Sequence, residues 1–268
     1  MKQHNSTILN LLAVAGLAGM AQAATVRVTI ESLAPTHGTY LTPFWVGFHD
    51  GAFDLFDSGS AASASLERLA EDGDPSSLMT SFAGSGHGSM QGVIPGTGGI
   101  PPFAPGDMGS MDFSVNPFAA DGRYLSFAAM AIPSNDAFVG NANPTMIQVF
   151  QADGTFVGGT FVIAGSGIWD AGTEVNDEAP VNTAFLGQTT PDTGTVEAGV
   201  VSPHSGFLPV GSGGILDEPM FAGADFTAPG YQVARITVSQ VPEPETYGVL
   251  AALGLVGFGL LRARRKHA

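Results

Sequence analysis

Two short acidic motifs in this sequence carry the residue types of a hard-cation site. Asp136 lies in Pro133-Ser134-Asn135-Asp136-Ala137-Phe138-Val139-Gly140, directly after an apolar stretch and in a turn-forming context. Asp170 and Glu174 lie in Trp169-Asp170-Ala171-Gly172-Thr173-Glu174, four residues apart around a glycine. A loop that bends at Gly172 can aim both carboxylates at one centre. Ca²⁺ takes roughly six to eight oxygens at about 2.3 to 2.6 Å, so carboxylates supplemented by loop carbonyls are a fitting ligand set. Asp and Gly are also the default turn formers, and each motif alone reads as a plain turn. Together the two motifs are more telling than either alone.

Other residues invite catalytic readings that their spacing does not support. In Phe48-His49-Asp50-Gly51-Ala52-Phe53-Asp54-Leu55-Phe56-Asp57, His49 and Asp50 could form an acid–base pair and Asp54 and Asp57 a glycosidase-type carboxylate pair. Neighbours on a strand point to opposite faces, however, and Asp54 and Asp57 are expected to diverge as well. His204 follows Ser202 and Pro203 without a nucleophile-elbow motif, which disfavours a triad and favours a structural hydrogen bond. Trp45 and Trp169 read as packing residues. The sequence therefore points away from an enzyme.

Composition narrows the field further. The chain has 268 residues, with nine Lys and Arg against 24 Asp and Glu, a net charge of −15 and no cysteine. Disulfides, thiolate zinc sites and cysteine nucleophiles are thus excluded. Proteins bind nucleic acid by neutralising phosphates with Lys and Arg, so no nucleic-acid partner is expected. With 37 Gly and 18 Pro, turns and loops must be abundant, while 44% hydrophobic residues suffice for a core.

The elements that would position the acidic motifs are strands. Ala24–Glu31 and Gln232–Ser239 alternate β-branched with polar residues, the period of a half-buried strand. A sandwich in which these first and last strands pair would bring the ends of the domain together. Tyr40–Phe48, Arg123–Ile132, Met146–Gln151 and Phe156–Ala164 read as further strands, with Ala152-Asp153-Gly154 as a hairpin turn. One helix is expected over Ser60–Glu71, with Ser60 as N-cap and Ala62, Leu66 and Leu69 on its apolar face. Gly84–Gly109, rich in glycine and proline without apolar period, reads as a long surface loop. The expected class is all-β and antiparallel.

Both ends read as export signals. Lys2, the apolar run Ile8–Met20 and Ala21-Gln22-Ala23 have the order of a secretory signal peptide cleaved after Ala23. Beyond Val241-Pro242-Glu243-Pro244-Glu245, the run Tyr247–Leu261 is apolar and uncharged, and Arg262, Arg264, Arg265 and Lys266 follow. Those fifteen residues cover about 22 Å as helix, somewhat short of a ~30 Å hydrocarbon core unless Tyr247 and snorkelling arginines extend the span. This Pro-Glu-Pro motif, apolar helix and basic tail resemble the PEP-CTERM sorting signal of Gram-negative bacteria. The resemblance implies transient inner-membrane anchoring through a C-terminal transmembrane helix, processing by an exosortase, and delivery to the outer surface. The expected organisation is signal peptide 1–23, domain 24–240 and sorting signal 241–268. Between the two ends only Arg27, Arg68, Arg123 and Arg235 face 22 acids, so the domain carries −18 and favours cations.

Five separated segments also resemble a spondin domain, in the family's order: Val28–Pro35, Leu41–Gly51, Pro133–Gly140, Trp169–Glu174 and Val233–Ile236. The resemblance implies an antiparallel β-sandwich of about eight strands with one bound Ca²⁺, and it carries the family's three calcium carboxylates onto Asp136, Asp170 and Glu174. Animal members usually have Asp where Glu174 stands, an aromatic residue where Ala137 stands, and cysteines that this chain lacks. The implied role is that of an exported surface or matrix protein in adhesion or exopolysaccharide and biofilm organisation, with extracellular polysaccharide or surface proteins as partners. The alternatives are an exported polysaccharide-active enzyme and a purely structural surface component.

Overall fold

The computed structural model describes residues 23–98 and 103–242. Twelve strands and two helices follow one another in these residues. The strands are β1 (Ala24–Ser32), β2 (Tyr40–Leu41), β3 (Phe44–His49), β4 (Gly88–Ile94), β5 (Met108–Val115), β6 (Tyr124–Ile132), β7 (Ala137–Gly140), β8 (Ile147–Gln148), β9 (Gly159–Ala164), β10 (Ile168–Asp170), β11 (Ser202–Pro203) and β12 (Gln232–Gln240). Helices α1 (Ala64–Asp72) and α2 (Ser76–Gly84) lie between β3 and β4. All strand pairs are antiparallel.

A small sheet runs in the order β5-β1-β12-β9 and a large one in the order β11-β10-β7-β6-β3-β4, with β2 and β8 paired to β6. The first and last strands do pair, Val28 opposite Val238 and Ile30 opposite Ile236. The alternation in β1 is the mark of a strand buried on one face: Val26, Val28 and Ile30 enter the core. On the other face Arg27 holds Asp112 through two bonds of 2.7 and 2.8 Å, and Arg235 reaches Glu31.

The large sheet is covered on both faces, which explains why β3 and β6 read as nearly continuous apolar runs. Phe44, Val46, Phe48, Phe127 and Val139 meet the small sheet, while Trp45, Ala128 and Phe138 join Leu66, Leu69, Leu78 and Phe82 under the helices. The architecture is a β-sandwich with a short helical layer on one side.

Several expectations are corrected by this structure. The stretch 84–109 is not all surface loop, because it contains β4. Its glycines allow close packing: a Cβ on Gly88 would stand 2.1 Å from the Phe82 ring, and one on Gly92 would stand 2.8 Å from the Met111 sulfur. The residues that erase strand periodicity are the ones that let this strand approach its neighbours. Helix α1 is capped by Ser63, not Ser60: its Oγ accepts from Leu66 N–H at 3.3 Å, and Gly73 at φ 66° closes the helix. A second helix, α2, was not expected. Its buried Leu78 and Phe82, four residues apart, are the whole of its inward face. Thr42-Pro43 divides the expected strand Tyr40–Phe48, and the Met146–Gln151 and Phe156–Ala164 strands shorten to β8 and β9. The turn at Ala152-Asp153-Gly154 stands, with Asp153 Oδ1 accepting from Thr155 N–H at 2.9 Å and Gly154 at φ 84°.

No helix among the described residues is long and apolar enough to cross a membrane. The expected signal peptide and C-terminal transmembrane helix lie outside the described residues.

Candidate functional site

Asp136 and Asp170 are brought together by strand pairing. Asp136 immediately precedes β7 and Asp170 ends β10, where it stands opposite Ala137. The main-chain oxygen of Asp136 accepts from Ala171 N–H at 3.2 Å. Residues 171–174 then fold over the Asp136 carboxylate. Its Oδ2 accepts from Thr173 N–H at 2.8 Å, Glu174 N–H at 3.1 Å and the Thr173 hydroxyl at 3.2 Å.

The turn that makes this wrap requires its glycine. Gly172 has φ 68°, and a Cβ there would lie 2.6 Å from the Val200 nitrogen. The following residues are held by a short irregular ladder, in which Val175 N–H donates to Thr195 and Glu197 N–H to Thr173. Asn135 fastens the other side, accepting from Glu178 N–H and donating to Asp177.

Asp170 has both oxygens engaged, Oδ1 by Gly172 N–H and Oδ2 by Asn176 Nδ2, each at 2.7 Å. Asp136 and Glu174 are different. They are 0% and 3% exposed, and Asp136 Oδ1 and Glu174 Oε2 are buried without any hydrogen-bond partner. Burial, followed by the Asp170 charge, pushes the Asp136 carboxyl up to about 6, against the opposing bonds from Glu174 and Thr173. Burial, then the Glu71 charge, pushes Glu174 up to about 7. His204 contributes a third orphan. Its Nδ1 accepts from Gly206 N–H at 3.1 Å, which leaves the proton on a buried and unpartnered Nε2. Burial lowers its pKa, and the charge of Asp170 acts in the other direction.

The three expected ligands therefore share one region, although their side chains do not form a finished cage. No group of three or more His, Asp or Glu among the described residues converges tightly enough to hold a metal by itself. The donor chemistry nevertheless suits a hard cation: oxygen atoms, two of them buried and orphaned, with main-chain carbonyls close by. Sequence reasoning missed Glu71, at the end of α1, which is 4% exposed and pushed up to about 7 by burial. One signal was available. Glu71 and Asp72 sit in the last turn of a helix, where the backbone dipole opposes negative charge, and the nearby Arg68 pairs with Asp72 at 2.6 Å.

The catalytic alternatives disperse. His49 turns inward, with Nε2 3.0 Å from Ser126 Oγ, while Asp50 turns to His87 at 3.0 Å. Asp54 and Asp57 are both exposed, and the Asp54 carboxyl is raised by burial and then by the charge of Asp57. Trp45 is fully buried, and Trp169 packs on Phe56 with ring centroids 5.0 Å apart.

Fold and site together define a two-sheet β-sandwich with an acidic loop centre beside β7 and β10. The chain belongs to the Spondin_N family, whose model matches residues 30–183. A PEP-CTERM protein-sorting motif matches residues 240–266, which marks the chain for export and for processing by an exosortase. No curated protein matches the sequence.

Proposed function

We propose that this exported spondin-family protein is a calcium-stabilised binding module of the cell surface or extracellular matrix. Asp136, Asp170 and Glu174 are its carboxylate ligands, and main-chain carbonyls or waters complete the shell. The observation that carries the reading is the clustering of orphaned buried atoms. Only five buried side-chain N or O atoms among the described residues lack a partner, and two of them, Asp136 Oδ1 and Glu174 Oε2, belong to carboxylates joined through the Glu174 N–H bond to Asp136. Unpaired buried polar atoms are costly, and a hydrated cation would satisfy the two carboxylate oxygens. When bound, Ca²⁺ would supply positive charge that lets neighbouring acids ionise together; the chain's own part is to hold the 133–136 and 170–176 loops in register.

The export signal and the strongly acidic domain support a role at the cell surface in adhesion or exopolysaccharide organisation. In this reading the signal peptide is removed after Ala23, and the segment from Val241 anchors the chain transiently before processing. The test is retention of the purified mature protein by cells and by exopolysaccharide, with Ca²⁺ and with EDTA. Calcium-dependent retention is the expected result, and retention by neither material overturns the adhesion role. Deleting 241–268 should release the protein to periplasm or medium, whereas changing Pro242-Glu243-Pro244 should block processing but keep the anchor. A deletion variant that stays in the membrane fraction overturns the sorting scheme.

A further inference from the structure

Strand β9 forms an open edge of the small sheet. On one side it pairs with β12, Phe161 opposite Ile236 and Val162 opposite Arg235. Its other side meets no strand, and among the described residues no main-chain hydrogen bond joins it to a loop. Val162 and Ala164 instead border an open cleft of about 510 Å³. The opposite edge of the same sheet is tied down. There the Met108 carbonyl of β5 accepts from the Thr97 N–H at 3.1 Å and the Thr97 hydroxyl at 2.7 Å, and a Cβ on Gly109 would stand 2.1 Å from the Pro95 main-chain oxygen.

The alternation of hydrogen bonds across the sheet identifies the groups that β9 leaves free. In an antiparallel strand the N–H and C=O of one residue point to the same neighbour, and successive residues alternate sides. Val241 N–H donates to Thr25 and Leu33 N–H to Val233, so the odd-numbered residues of β12 face β1. Ala234 and Ile236 therefore face β9, and their partners Ile163 and Phe161 face back. Gly165 N–H, which donates to Tyr231, continues the pattern. The main-chain groups of Thr160, Val162 and Ala164 are left pointing away from the sheet.

This edge is chemically suited to a second copy of itself. Phe161 and Ile163 pack against the core, whereas Val162 is 49% exposed, and Thr160 and Ala164 are exposed beside it. Sheet edges are commonly blunted by Lys, Pro or inward charge, and β9 has none of these. No charged residue lies between Asp153 and Asp170. A chain with this excess of acids repels its own copies, and a neutral edge lets two of them meet without opposing like charges. The three outward residues are also spaced evenly about Val162. In an antiparallel pair of copies, Val162 of one stands opposite Val162 of the other and Thr160 opposite Ala164, each pair exchanging two main-chain bonds. A two-fold interface requires such self-complementarity.

We propose that β9 is a self-association edge, through which two copies of this protein join their small sheets into one continuous sheet across a two-fold axis at Val162. The same strand is consumed on both copies, so the pairing closes at two. It stands independently of the calcium reading.

The test follows the mass of the purified mature protein against concentration, by sedimentation and native mass spectrometry, for wild type, Val162→Pro, Val162→Lys, Val162→Glu and Val210→Lys. Wild type should pass from one copy to two as concentration rises. Val162→Pro removes an outward N–H and no bond to β12, and should weaken the dimer by about tenfold or more. Val162→Lys and Val162→Glu each set like charges opposite one another, with the same effect expected. Mixed in equal amounts, the Lys and Glu proteins should form the mixed pair. Val210→Lys, at another exposed valine, should stay within about threefold of wild type. By NMR, the amides of Thr160, Val162 and Ala164 should exchange more slowly in concentrated wild type than in dilute. Should Val162→Pro unfold, the Lys and Glu variants, which keep every main-chain bond, carry the comparison.

A wild type that stays a single copy up to its solubility limit overturns the proposal. So does a dimer that the Lys and Glu variants form as readily as wild type, or one in which the Val162 and Ala164 amides exchange as they do in the monomer. Failure of the Lys and Glu proteins to pair with each other, when each alone is a folded monomer, overturns the register about Val162.

Discussion

Asp136 Oδ2 accepts the main-chain N–H of Thr173 at 2.8 Å, across 37 residues of sequence. This bond and its neighbour from Glu174 N–H shape the 170–176 loop around a carboxylate whose other oxygen has no partner. The loop is therefore held by Oδ2 of Asp136, while Oδ1 is buried without a hydrogen-bond partner.

Replacing either strand-held aspartate should separate calcium from stability. Asp136→Asn or Asp170→Asn is expected to lower the melting temperature in Ca²⁺ and to remove most of the difference between Ca²⁺ and EDTA, whereas Asp54→Asn should preserve that difference. At free Ca²⁺ about a hundredfold above the dissociation constant, linkage adds about 2.7 kcal/mol to wild-type stability. Identical wild-type melting curves in EDTA and millimolar Ca²⁺ would contradict the site.

The metal-free protein should weaken as pH rises. Asp136, near 6, and Glu71 and Glu174, near 7, all lie above their ordinary values of 3.8 and 4.5. Their unfolded forms release protons first, so the stability of the protonated folded state is complete below about pH 4 and is lost as pH climbs through about 6 to 7. Melting temperature against pH in EDTA checks the sign, and saturating Ca²⁺ should flatten the decline.

His49 should produce the opposite slope at lower pH. Burial depresses it from 6.5 to about 4, and its Nδ1 accepts from Gly51 N–H while Nε2 meets Ser126. The unfolded chain binds this proton first, so stability present above about pH 6.5 is lost as pH falls toward 4, on the order of 3 kcal/mol in all. An NMR titration should find His49 still neutral at pH 5; a midpoint above 6 would refute the buried neutral form.

Gly194→Ala should damage the centre without touching either apolar core. An added Cβ would fall 1.8 Å from Glu174 Oε1, so the carboxylate must leave its seat. Calcium affinity is expected to drop at least tenfold by calorimetry. Gly59→Ala, where a Cβ meets nothing within 4 Å, should lose no calcium affinity, and its cost should be confined to backbone strain of about 1 kcal/mol.

How far the fold was legible depended on how each strand is buried. The one-sided strands β1 and β12 announced themselves by alternation, and β3 and β6 by continuous apolar character. β4 did not, because Gly88 and Gly92 replace side chains where Phe82 and Met111 press in. The two halves of the acidic centre were visible as turn motifs, but spacing along the chain could not show that β7 and β10 pair beside them. Glu71 escaped for a related reason. It stands more than a hundred residues before Glu174, on a helix read only for its apolar face, and its burial at the end of that helix is set by tertiary packing that spacing along the chain does not show.

The pairing of β1 with β12 sets the order in which this protein can finish folding. Glu31 and Arg235 are 204 residues apart, and Val241 N–H closes the ladder onto Thr25 at 2.8 Å. Until residues 232–240 arrive, β1 has only β5 beside it, and β9 has no partner in its sheet. Contacts of such long sequence separation form slowly, because most of the chain must be ordered before they are rewarded. The strand that completes the sandwich leads directly into the sorting motif at 240–266. A chain that ends before residue 232 has neither the closing strand nor the motif, whereas one that ends at 240 keeps the whole strand, so the domain is able to close once synthesis reaches the edge of the sorting motif.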